Sequence, residues 1–188
     1  MDCEVVRYQT AGDDQSKIAD EIREAWKEAD LILTTGGVSV GEKDLLPGVI
    51  ENLTGNVLFH GIQVKPGMPT MLSVVKGTPV LSLSGNPFAV EALFEVLAGG
   101  YLTDMEASRY LQKNQMKILQ QTFVKTGKMK RIVKGRCDES GVYLPQIQKN
   151  GQLKNGIGSN CLVIFPEGER TYTEGEARPG NQDISRIT

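Results

Sequence analysis

The segment DLILTT at 30–35 is a continuous apolar run that passes straight into the glycine-rich stretch TTGGVSVG at 34–41. A strand with no polar alternation is buried on both faces, as in a parallel sheet held between helix layers. Upstream, Ile18, Ile22, Ala25 and Trp26 recur at helical spacing within 16–28, and Asp13 or Asp14 is placed to cap the first turn. The apolar, β-branched run CEVVRY at 3–8 reads as a strand before that helix. Strand, helix and strand together predict a βαβ unit.

The pattern continues with a short helix over 45–53 opened by Pro47, and with strands at 57–64, 70–75 and 79–83. SGNP at 84–87 then leads into FAVEALFEVLAGG, where Asn86 can cap, Pro87 can take the first helical position, and Gly99 and Gly100 stop the helix. TDMEASRYLQKN at 103–114 would carry the chain out of this domain. Beyond it, KILQQTFVK, KRIVKGRC, GVYLPQIQ and NCLVIFPEG are short strand-like pieces between polar turns. The fold class expected is α/β, a three-layer α/β/α domain with a mostly parallel sheet over residues 1–110, followed by a small all-β domain over 111–188. The boundary is expected near 108–115.

Charge follows the same division. Residues 1–110 carry 8 Lys and Arg against 16 Asp and Glu, whereas residues 111–188 carry 13 against 7. The basic part lacks the interleaved aromatics that stack bases, so Lys125, Lys128, Lys130, Arg131, Lys134 and Arg136 read as a solvated β-surface and no nucleic acid is expected. No apolar run approaches the roughly 18 residues needed to cross a bilayer, and the N-terminus has no leader pattern, so a cytoplasmic protein is expected. Cys3, Cys137 and Cys161 are far apart and outside any CxxC spacing, and are expected as buried or partly buried free thiols.

In open α/β sheets ligands bind at the carboxyl ends of strands, and two glycine-rich loops fall there. In the first, Gly36, Gly37 and Gly41 let backbone amides approach a phosphate, with Thr34, Thr35 and Ser39 hydroxyls as further donors. In the second, Gly85 lies beside Ser84, Asn86 and Pro87. Asp13 and Asp14 after the first strand, with Glu42 and Asp44 after the glycine loop, suggest Mg²⁺ held by hard oxygens and bridging to a substrate phosphate. The competing reading for Asp13 and Asp14 is helix capping. Lys65, in the kinked KPGMP at 65–69, could face an anion, and His60 reads as a packed or solvent-edge imidazole. Walker and HExxH patterns are absent from the sequence.

DLILTTGGVSVGEKD, VKPGMPTML and GTPVLSLSGNPFAV, in this order and spacing, closely resemble the C-terminal half of the molybdopterin molybdenumtransferase family, the MoeA and gephyrin E-domain family. The resemblance implies insertion of molybdate into adenylylated molybdopterin with release of AMP and with Mg²⁺ as helper. It would place the nucleotide's phosphates on Thr35, Gly36, Gly37, Ser39 and Gly41. It would make Asp44 and Asp14 the catalytic and metal-binding acids, and Lys65, Pro66, Gly67, Ser84, Gly85, Asn86 and Pro87 further substrate contacts. A homodimer is implied, with a molybdopterin adenylyltransferase as a possible partner. Two substitutions depart from the family pattern: Ser84 stands for a proline and Met68 for a lysine. The α/β domain also starts at what would be its second strand, so a fragment that self-associates and is inactive alone is expected. A molybdopterin adenylyltransferase-like domain and a catalytically silent pterin-binding scaffold are the alternatives.

Overall fold

The computed structural model describes residues 3–39, 41, 44–99, 117–145 and 158–175, with the backbone of 184–186. The chain divides into two compact units, Met1–Ile62 with Gly67–Leu93 and Gln63–Pro66 with Phe94–Thr188. The boundary expected near 108–115 and the stretch at 103–114 expected to carry the chain out of the first domain lie outside the described residues.

In the first unit, α1 spans Gln15–Ala25, and its N-cap is Asp14, whose carboxylate accepts from the amides of Ser16 at 2.9 Å and Lys17 at 3.2 Å. These bonds satisfy two of the donors that every helix start leaves open. α1 buries Ala19, Ile22 and Ala25 and packs on α2, Leu46–Asn52, which Pro47 opens. The sheet runs β1 (Ile32–Thr35), β5 (Thr78–Leu83), β4 (Met71–Val75), β2 (Asn56–His60). Ile32, Val80, Met71 and Val75 pack with α1 and α2 in one core, and α3, Pro87–Leu93, packs against β5. β5 is buried on both faces, which accounts for its nearly unbroken apolar sequence.

Three sequence expectations need correction. The run at 3–8 forms no strand. Among the described residues β1 pairs only with β5, so 3–8 has no neighbouring ladder to satisfy its backbone; Val5 and Tyr8 are exposed, and Arg7 instead pairs with Glu21 and Glu28, each at 3.2 Å. The sheet is mixed and not mostly parallel: β1 and β5 are parallel, while β5–β4 and β4–β2 are antiparallel. Lys76 and Gly77, with φ of 53° and 91°, make the two-residue turn that joins β4 to β5, and so short a connection permits only antiparallel pairing. The strand expected at 57–64 breaks at Gly61, φ 96°, into β2 and a separate β3, Val64–Lys65.

The second unit is β-rich, as expected. It contains β6 (Phe123–Lys125), β7 (Lys130–Cys137), β8 (Val142–Tyr143), β9 (Cys161–Phe165), β10 (Arg170–Tyr172) and β11 (Ile184–Arg186). One sheet has the order β11-β9-β7-β3 with β8 also on β7, and β6 pairs with β10. Phe165 anchors the core, stacking on Phe123 at 4.5 Å and meeting Tyr172 edge-on at 4.8 Å. Lys125 is not part of a solvated face. It is 1% exposed, and its ammonium donates to the carbonyls of Gly127 at 2.8 Å and Gly168, which replace the water it loses. Of the three free thiols, Cys3 is exposed rather than buried, Cys137 is half-buried and Cys161 is buried.

Two predictions follow from this packing. Asp14→Ala should lower the stability of the chain to urea by about 1 kcal/mol, while Asp13→Ala should change it by less than about 0.5 kcal/mol. Burial pushes the Cys161 thiol up from 9.0 to about 11. Its protonated form therefore supports the fold fully below pH 9, and that support is lost as pH rises through about 11. Melting temperatures measured across this window should fall, and less steeply in Cys161→Ala.

Candidate functional site

The parallel pairing of β1 with β5 brings the carboxyl ends of both strands to one edge, where the two glycine-rich loops emerge together. The Gly36 amide extends the ladder by donating to the Leu83 carbonyl at 2.9 Å. Gly36 and Gly37 then turn the chain with φ of 84° and 64°, conformations that side chains disfavour. Gly85 crosses here: a Cβ on it would sit 3.5 Å from the Gly36 Cα.

From this turn the carbonyls of the first loop are drawn into the protein. The Leu46 amide donates to Gly37 O at 3.0 Å, His60 Nε2 to Val38 O at 2.7 Å, and the Asp44 amide to Gly41 O at 2.9 Å. A carbonyl oxygen can only accept, so the His60 nitrogen must carry the proton. In a trans peptide the N–H points opposite to the C=O, so tying down Gly37 O and Val38 O turns the amides of Val38 and Ser39 the other way. Among the described residues nothing accepts from the amides of Gly37, Val38 or Ser39. Consecutive free amides of this kind make an anion-binding concavity. Ser39 is half-buried beside them and Thr35 is exposed. In the second loop, Asn86 caps α3 by accepting from the Ala89 amide at 3.1 Å, with Pro87 the first helical residue, as expected.

The acidic candidates divide. Asp14 is committed as the cap of α1, and its second oxygen lies 4.0 Å from Lys17 Nζ. Asp44 closes the glycine loop by accepting from the Gly41 amide at 2.8 Å through one oxygen, and among the described residues the other has no hydrogen-bond partner. Among the described residues no group of three or more His, Cys, Asp or Glu could cage a metal. Mg²⁺, however, needs only one or two carboxylates when substrate phosphates and waters complete its shell, and Asp44 fits that mode.

The KPGMP residues fall in different units. Gly67 belongs to the first, where a Cβ would meet Leu93 Cδ1 at 2.1 Å, so it is a close-packing glycine; Met68 is exposed. Lys65 and Pro66 belong to the second, where exposed Lys65 pairs in register with Arg131 on β7. Like charges directly opposite one another repel unless an anion joins them. Two pairings were not legible in the sequence, that of Arg131 with Lys65 and that of His60, read as a packed or solvent-edge imidazole, with Val38. Arg131 was hidden in a basic run, and His60 had no visible partner because that partner is a backbone carbonyl 22 residues away.

Residues 1–104 match the family model described as a probable molybdopterin binding domain. The chain belongs to that family. A protein named molybdopterin molybdenumtransferase from Staphylococcus aureus strain COL is 29% identical over 177 residues, covering 92% of this chain and 42% of the relative. One of the same name from Staphylococcus epidermidis is 26% identical over the same length. Among solved structures, a molybdopterin biosynthesis MoeA protein from Pyrococcus horikoshii superposes with a TM-score of 0.74 at 25% identity, over 93% of this chain and 41% of its own. A molybdenum cofactor biosynthesis protein from Pyrococcus furiosus, at 21% identity and a TM-score of 0.70, shares the fold. This member of the molybdopterin-binding family thus spans about two fifths of the length of the curated relatives it matches. Among its described residues no helix is long and apolar enough to cross a membrane.

If the loop amides hold a phosphate, Gly37→Val should abolish the binding of a phosphate-bearing nucleotide measured by calorimetry. The space around a Gly37 Cβ is open, with nothing closer than 4.0 Å, so the loss would come from the positive φ and from methyls beside the free amides.

Proposed function

We propose that the chain acts in molybdenum cofactor biosynthesis as the pterin-nucleotide-holding part of a molybdopterin molybdenumtransferase. Its substrates would be adenylylated molybdopterin and molybdate, and AMP would be released. The observation that carries this reading is the glycine-rich loop, in which the carbonyls of Gly37 and Val38 are bonded inward while the amides of Gly37, Val38 and Ser39 donate to no protein partner among the described residues. A phosphate fits there without meeting a carbonyl dipole.

The chain's own groups take separate tasks in this reading. The loop amides, with the Thr35 and Ser39 hydroxyls, hold a phosphate, and the turn from Ser84 to Pro87 shapes the same edge. Asp44, with its free oxygen, would hold Mg²⁺ against the phosphates; the ion supplies positive charge where the leaving phosphate gains negative charge. Asp14 acts indirectly, by fixing the start of α1. In the second unit, taken by itself, exposed Lys65 in register with Arg131 would offer positive charge to an anion. The reading further carries a homodimer working in the cytoplasm, with a molybdopterin adenylyltransferase as the source of its substrate.

Calorimetry with AMP and Mg²⁺ tests this. The chain should bind AMP more tightly with Mg²⁺ than without, and Asp44→Asn should weaken the Mg²⁺-dependent binding more than tenfold, about 1.4 kcal/mol or more. Equal affinity for variant and parent would remove Asp44 from the site.

A further inference from the structure

We propose that His60 is a positioning residue for the glycine-rich loop: by holding the Val38 carbonyl it fixes the 38–39 peptide so that the Ser39 amide faces the bound anion. The proposal rests on the anion-loop reading above and assigns a role to a side chain outside the glycine motifs.

His60 ends β2, an edge strand, where it is paired in register with Met71 of β4. Met71 is paired with Ser82 of β5, and Ser82 with Thr34 of β1, so the imidazole closes a row that crosses all four strands beside the loop. Partners on a ladder share a face, and Met71 and Val38 belong to the same buried core. The loop is therefore held at Val38 twice, by its buried side chain and by the 2.7 Å bond from His60 Nε2 to its carbonyl.

The two holds are not equivalent. Burial of the Val38 side chain fixes where the loop sits but leaves the following peptide plane able to rotate. Turned over, the 38–39 peptide would present a carbonyl oxygen to the anion in place of an amide. The neighbouring peptide is held separately, by Leu46 donating to Gly37 O, so the 38–39 unit is the one that depends on a side chain.

Three variants separate this role from general support of the fold. A glutamine at 60 carries an amide nitrogen near the place of Nε2, whereas an asparagine places its own near Nδ1. In calorimetry with AMP, His60→Ala and His60→Asn should weaken binding more than tenfold, and His60→Gln should restore it to within threefold of the parent. In the AMP-free protein, ¹⁵N relaxation dispersion at Val38 and Ser39 should appear in the Ala and Asn variants and be absent from the parent and the Gln variant. Dispersion unchanged by His60→Ala would overturn the proposal, as would rescue by Asn equal to that by Gln. Should the parent itself fail to bind AMP, the nucleotide reading falls while the dispersion experiment still decides whether His60 holds the peptide.

Discussion

The parallel pairing of β1 with β5 is the constraint on which the rest of the first unit depends. Parallel strands end at the same edge, so the loops after Thr35 and after Leu83 must leave the sheet side by side. An antiparallel pair would send them to opposite ends, and Gly36 could not lie against Gly85. The close approach of these two glycines follows from the topology, and the glycines in turn make it sterically possible. The other pairings of the sheet are antiparallel and have a different task. They set β4 beside β5 and β2 beside β4, so that His60 at the end of β2 comes within reach of Val38.

What could be read from the sequence follows from the range of each interaction. The cap at Asp14, the proline-opened α2 and the cap at Asn86 are local, each decided within a few residues, and the structure has them as expected. The glycine motifs marked the right edge because loop glycines announce a backbone need directly. CEVVRY at 3–8 failed for the opposite reason: β-propensity records what a segment would do beside a partner strand, and the described residues offer none. The mixed sheet was legible in principle, since the connection at Lys76 and Gly77 is too short for a parallel crossover. The contact of His60 with Val38 was not legible, because any residue can present a carbonyl.

The second unit shows why counting charges says little about their use. Lys125 and Arg131 stand in the same basic run, six residues apart, and were read alike. Lys125 is buried, with its ammonium held between the carbonyls of Gly127 and Gly168, where it joins two turns. Arg131 stands opposite Lys65, a second cation brought to β7 by a four-residue stretch that the surrounding sequence leaves in the other unit. One cation has its acceptors in the protein. The other two cations stand in register, and among the described residues no carboxylate is paired with either, so an anion beside them would relieve their mutual repulsion.

The same argument applies, with neutral groups, to the edge of the first unit. Thr34 Oγ1 and Ser82 Oγ are buried without a hydrogen-bond partner among the described residues, and they lie on one rung of the β1–β5 ladder. Burying an unpartnered hydroxyl costs about 1–3 kcal/mol, and aliphatic residues such as the flanking Ile32 and Val80 would avoid that cost. The rung lies two residues before Gly36, at the end of the sheet where the amides of Gly37, Val38 and Ser39 also have no acceptor among the described residues. Elsewhere in this unit polar groups find partners close at hand, as Thr70 does in donating to the Gly67 carbonyl at 2.7 Å. Unmet hydrogen-bonding capacity is thus concentrated at the carboxyl edge of the parallel pair, which makes that edge the part of the unit with the most to gain from a polar ligand.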